Sequence, residues 1–86
     1  TPAREIVRSL YKLGASIIGH DPHLSSFRVD DFDLPLADDL TKALKECDLA
    51  VLLQRHSSYD LDRIVSIAPR VFDTRGCLTG PNVERL

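Results

Sequence analysis

The segment Val71-Phe72-Asp73-Thr74-Arg75-Gly76 has the residue types of a binding edge. A short apolar run stops at an acid, a hydroxyl, a base and a glycine. In a parallel α/β sheet, a buried strand delivers polar groups of this kind to a ligand crevice at its carboxyl end. Arg75 supplies a planar, permanently charged fork suited to phosphate or carboxylate oxygens. Two other apolar runs close in the same style, at His20-Asp21-Pro22 and at Gln54-Arg55-His56. Three such ends predict one edge, with Arg75 as the ligand contact and Asp21, His56 and Asp73 as crevice residues. Each has a plainer role beside the sharp one. Arg75 is suited to a structural ion pair with Asp73 or a helix end. Asp73 is better suited to orienting Arg75 or capping the next turn than to chemistry. Asp21-Pro22 is also an ordinary turn, and His56 suits a turn or a surface.

Other chemistry is sparse. His20 and His23 are close in sequence, but tetrahedral zinc needs three or four ligands, and His56 would have to come from another strand. No metal site is expected, and no catalytic residue. Cys47 and Cys77 match no zinc or redox spacing. Cys47 falls on an apolar helix face, where a thiol acts as a small hydrophobe. Cys77 follows the Arg75-Gly76 turn but has no histidine near it in sequence to activate it. Both are expected as free thiols of a reducing cytoplasm. Asp30, Asp31, Asp33, Asp38 and Asp39 read as a solvated face, and those near the second helix start suit its dipole.

The elements that must position these residues follow from periodicity. Pro2 suits a first helical position with Thr1 as cap. Ile6, Val7, Leu10 and Leu13 recur at helical spacing, and Gly14 stops a helix over 2–13. Ala15 to His20 reads as a strand, ended by Asp21-Pro22. His23 to Pro35 shows no clear period and reads as a loop, with room for a short extended piece. Leu36, Leu40, Ala43, Leu44 and Cys47 form a second helical stripe. The continuous apolar run Leu49–Leu53 predicts a central strand buried on both faces. Leu61, Ile64, Val65 and Ala68 form a third helix, capped by Ser58 or Asp60 and stopped by Pro69. Arg70 to Phe72 begins the last strand, and Val83 to Leu86 reads as the start of another helix.

The order α-β-α-β-α-β calls for an α/β fold with a small Rossmann-like parallel sheet flanked by helices. Its first strand is missing, because the opening helix has no strand before it. At 86 residues, the chain makes one domain, 1–86, burying only about 60% of its unfolded surface. A net charge of −2 and 6% aromatic content argue against nucleic-acid binding. No apolar run approaches the roughly 20 residues of a membrane span. There is no Gly-x-Gly-x-x-Gly turn and no P-loop. With no methionine, the chain reads as a fragment or a processed product.

The ordered elements resemble the C-terminal domain of the UDP-glucose/GDP-mannose dehydrogenase family. Thr1-Pro2-Ala3 is similar to its Ser-Pro-Ala opening. Leu10, Gly14 and Ala15 before Asp21-Pro22 resemble its first helix end and Asp-Pro strand end. Cys47-Asp48-Leu49-Ala50 through Gln54-Arg55-His56 resembles its central strand, with Gln54 in place of a threonine. Asp73-Thr74-Arg75 matches its closing Asp-x-Arg. The resemblance implies part of an enzyme that oxidises the C6 hydroxyl of a nucleotide sugar twice, with NAD as oxidant in the parent enzyme. NAD, the catalytic cysteine and the catalytic lysine would belong to parts outside this chain, which itself carries no cofactor and is inactive alone. The chain would cap the site and touch a UDP-sugar through Arg75, with the remaining domains as partners. The wording Asp-Thr-Arg-Gly leans toward the UDP-N-acetylmannosamine dehydrogenase branch. A rival expectation is a non-catalytic interaction or receiver-like module, with Asp21 and Asp73 imitating a phosphoacceptor pocket. An uncovered parallel edge would also recruit another chain, so a homo-oligomer is expected.

Overall fold

The computed structural model describes residues 2–86; the expected Thr1 cap lies outside them. The element order is α1 (Pro2–Lys12), β1 (Phe27–Val29), β2 (Phe32–Leu34), α2 (Leu40–Glu46), β3 (Ala50–Leu52), α3 (Leu61–Ile67), β4 (Val71–Asp73) and β5 (Val83–Arg85). Packing divides the chain into two compact units, one ending at Asp38 and one from Asp39 to Leu86.

In the first unit, α1 packs Val7 against Val29 and Leu34 of an antiparallel hairpin. Gly14, at φ 88°, closes the helix in the left-handed conformation. The N–H of Gly14 donates to Tyr11 O and that of Ala15 to Leu10 O, the paired bonds of a Schellman end. Leu13 lies past that end at 83% exposure and is not part of the buried stripe. The hairpin replaces the loop expected over 23–35. Phe27, Val29, Phe32 and Leu34 alternate with polar residues, and Asp30-Asp31 is the two-residue loop between them. Asp30 takes a positive φ of 53° there, a conformation that aspartate tolerates better than most residues. The Arg8 fork donates to both Asp30 oxygens, at 2.9 and 2.8 Å, and that hydrogen bonding holds the carboxyl below its usual range.

The strand expected at Ala15–His20 is reduced to a single parallel bridge between Gly19 and Leu36. Gly19 N–H donates to Pro35 O and Ala37 N–H to Gly19 O. Only Ile17 of its apolar residues joins the core, while Ile18 is 53% exposed, so no two-sided burial extends the pairing. Leu36 is therefore a bridge residue and not the start of α2.

The second unit is a parallel sheet in the order β3-β4-β5, with α2 and α3 packed into its core. Asp39 and Asp60 cap the two helices by accepting from Lys42 N–H and Arg63 N–H. Leu44, Leu52, Ile64, Ala68, Val71 and Leu78 form the core. Two expectations change here. The run Leu49–Leu53 is an edge strand, and β4 is central, with Val71 at 1% exposure and Leu49 at 48%. Val83–Leu86 does not begin a helix. Val83–Arg85 pairs parallel to β4, with Asp73 opposite Arg85. The observed order replaces the simple alternation, while the α/β class with a parallel sheet flanked by helices stands.

Parallel neighbours usually need a helical crossover of a dozen or more residues. Here residues 74–82 join β4 to β5 with no helix. Side chains supply the missing order. Asn82 Nδ2 donates to Val65 O and Ala68 O at 2.9 Å each, satisfying carbonyls at the end of α3.

Candidate functional site

The carboxyl ends of β3 and β4 lie on one edge of the sheet because the strands are parallel and adjacent. Two of the three expected polar ends therefore meet. Asp21 is not a strand end. It belongs to the first unit and is half-buried, and its Oδ1 accepts from His23 N–H at 2.7 Å, the geometry of an Asx turn. His56 follows β3 and is half-buried, with its ring edge-on to Tyr59 at 5.4 Å between centroids.

Asp73 is the organising residue of this edge. It is the one polar side chain in the buried class, at 0% exposure, among the described residues. Its Oδ1 accepts from the N–H of Arg75 at 2.8 Å and of Gly76 at 3.0 Å, and its Oδ2 from Leu78 N–H at 2.8 Å. Burial alone would raise its carboxyl pKa. The amides of Leu78, Arg75, Gly76 and Cys77 outweigh that effect and hold the pKa below the ordinary carboxylate range. Gly76 adopts φ 69°, which a side chain would strain. The turn is thus folded around a buried anion.

That turn presents Arg75. Its Nε donates to Leu53 O at 2.7 Å, while Thr74 Oγ1 donates to Leu52 O at 2.6 Å. The last carbonyl of β3 and the one that follows it are satisfied by consecutive residues beyond β4. No described acid forms a salt bridge with Arg75, and the residue is exposed. The structural ion pair with Asp73 is not formed, because Asp73 is turned inward onto the loop amides. One edge of the guanidinium is anchored on protein, which restricts its orientation before any anion arrives.

Arg85 was missed from the sequence because its segment reads as a helix start. Its Nε and Nη2 donate to Leu78 O at 3.1 and 3.0 Å. The Gly80-Pro81 punctuation before Val83-Glu84-Arg85 is the available signal for a strand. A shallow depression at the opposite sheet edge is lined by Asp48, Arg70, Asn82 and Glu84 among others. Its mixed charges favour no single ligand, and ligands of open α/β sheets bind at carboxyl ends.

Cys47 is the C-cap of α2, with Sγ donating to Leu44 O at 3.3 Å, and burial pushes its thiol pKa up. Among the described residues, no group of three or more His, Cys, Asp or Glu side chains is placed to hold a metal ion. No described helix is long and apolar enough to cross a membrane.

A parallel α/β sheet with an ordered cationic turn at its carboxyl edge is an architecture of nucleotide-binding domains. The chain belongs to the UDP-glucose/GDP-mannose dehydrogenase family and matches its UDP binding domain over residues 1–80. That match runs through both units. Comparison with curated proteins and with solved structures found no significant match. The family is one of oxidoreductases acting on nucleotide sugars, and NAD belongs to another of its domains. The chain contains no Gly-x-Gly-x-x-Gly turn.

Proposed function

We propose that residues 1–86 act as one nucleotide-sugar-binding domain of an NAD-dependent UDP-sugar 6-dehydrogenase, closing its active site without catalysing oxidation alone. Arg75 is the contact to the nucleotide-sugar oxygens. The observation that carries this reading is the anchoring of Arg75 Nε on Leu53 O at the carboxyl edge, with no described acid salt-bridged to the guanidinium. His56, which follows β3, is a further crevice candidate, and Asp73 holds the turn. The Asp-Thr-Arg-Gly wording keeps the lean toward the UDP-N-acetylmannosamine branch, and cytoplasmic polysaccharide-precursor synthesis is the matching setting. β3 ends the described three-stranded sheet, and a strand edge of that kind suits association with further copies or with the rest of the enzyme. The receiver-like alternative loses support because both Asp73 oxygens already accept loop amides at 0% exposure.

The test is calorimetric titration of a UDP-sugar into the enzyme carrying this domain, with and without Arg75→Ala. Loss of charge-assisted bonds worth about 1.5–3 kcal/mol weakens binding by roughly 10- to 150-fold. Unchanged affinity and turnover would remove Arg75 from the site.

A further inference from the structure

We propose that Arg85 is a positioning residue that sets Arg75 for the nucleotide sugar through the intervening loop. The inference rests on the reading of Arg75 as a ligand contact. It assigns a role to a residue beyond the stretch 1–80 matched to the family.

Leu78 is the link. Its side chain is 3% exposed in the core of the second unit. Its peptide groups are gripped from both sides. The N–H donates to Asp73 Oδ2, and the carbonyl accepts two bonds from the Arg85 guanidinium. Asp73 also accepts the amides of Arg75 and Gly76. The turn that carries Arg75 is therefore fixed at its start by a buried carboxylate and at Leu78 by a cation from the neighbouring strand.

The register explains why these two residues share the task. Asp73 and Arg85 are directly opposite on β4 and β5. Opposite charges on neighbouring strands attract each other when their side chains share a face. Neither salt bridge nor hydrogen bond joins their side chains among the described contacts. Each instead binds the Leu78 backbone, one at the donor and one at the acceptor. Leu86 N–H donates to Asp73 O, closing β5 against β4 at the same level. In this nine-residue crossover with no helix, these bonds act beside those of Asn82 to Val65 O and Ala68 O.

A residue acting through Arg75 has a signature that a direct contact or a general stabiliser lacks. Its effect on binding disappears when Arg75 is absent. The experiment is a double-mutant cycle in the enzyme carrying this domain, using Arg75→Ala, Arg85→Gln and the double variant, with UDP as titrant and melting temperatures measured alongside. Arg85→Gln alone is expected to weaken UDP binding about three- to ten-fold by loosening the Arg75 turn. In the Arg75→Ala background the same change is expected to leave affinity within about two-fold.

Equal weakening in both backgrounds would overturn the proposal, because Arg85 would then touch UDP or act on stability alone. No weakening in the single variant would overturn it too. If Arg75→Ala itself has no effect on UDP binding, the reading of Arg75 fails first, and the Arg85 proposal with it. Should Arg85→Gln fail to fold, Arg85→Lys enters the same cycle. It keeps the charge but has one compact ammonium for the two-donor grip on Leu78 O, and the same background dependence decides the outcome.

Discussion

Replacing Asp73 with alanine removes about 3–5 kcal/mol of folding stability, a large share of the roughly 5–10 kcal/mol available to a domain of this length. The side chain is 0% exposed and accepts from Arg75, Gly76 and Leu78. Water can reach the amides of the exposed Arg75 and Gly76 once the carboxylate is gone. The amide of Leu78, in a residue 3% exposed, has no such recourse. An unpaired buried donor costs far more than an average hydrogen bond contributes. Asp73→Asn retains the shape but points an amide nitrogen at an N–H, so it recovers only part of the loss. Urea unfolding monitored by circular dichroism measures both. A shift of less than about 1 kcal/mol for Asp73→Ala would refute the anion-centred turn.

The same residue sets a pH dependence. Its folded pKa lies below the unfolded value of about 3.9. The stability it contributes is fully present above that unfolded value. It is lost as pH falls from there through the folded value, because the unfolded chain binds the proton first. The gap between wild type and Asp73→Asn therefore narrows in acid and is constant from pH 6 upward. Asp30, held down by Arg8, acts with the same sign. That pair is surface-exposed, so salt weakens its share.

Leu78→Ala is the second large effect. The side chain belongs to the core cluster of the second unit, with Leu44, Leu52, Ile64, Ala68 and Val71. Truncating a buried leucine loses its transfer free energy and leaves a cavity, for a cost of about 2–5 kcal/mol. Leu13→Ala is the internal control. At 83% exposure it changes stability by no more than about 0.5 kcal/mol. The denaturation midpoint should shift for Leu78→Ala with little change in slope. Equal midpoints for the two variants would contradict the burial on which the loop depends.

The local signals that carried through were those with one physical cause. Gly14 supplied a left-handed helix end, Asp60 supplied a cap, and the apolar run before Asp73 supplied a strand. Errors arose where pairing decides the structure. Ala15–His20 has strand-like residues, but Ile18 found no partner to bury it, and only Gly19 bridges. Phe27–Leu34 alternates over segments too short to stand out, and becomes a hairpin once α1 covers Val29. Leu49–Leu53 reads as central because apolarity reports burial and not the number of paired neighbours. At the candidate site, the position of Arg75 just past a strand was legible. The inward turn of Asp73 and the grip of Arg85 on Leu78 were not, since they depend on β5 lying beside β4.

The helix-free crossover has a consequence for motion. A helix frays residue by residue, because each of its amides has its own acceptor. The amides of Arg75, Gly76 and Leu78 share one carboxylate. Withdrawing that carboxylate breaks all three bonds in a single event, so the turn loosens as one latch with one free energy.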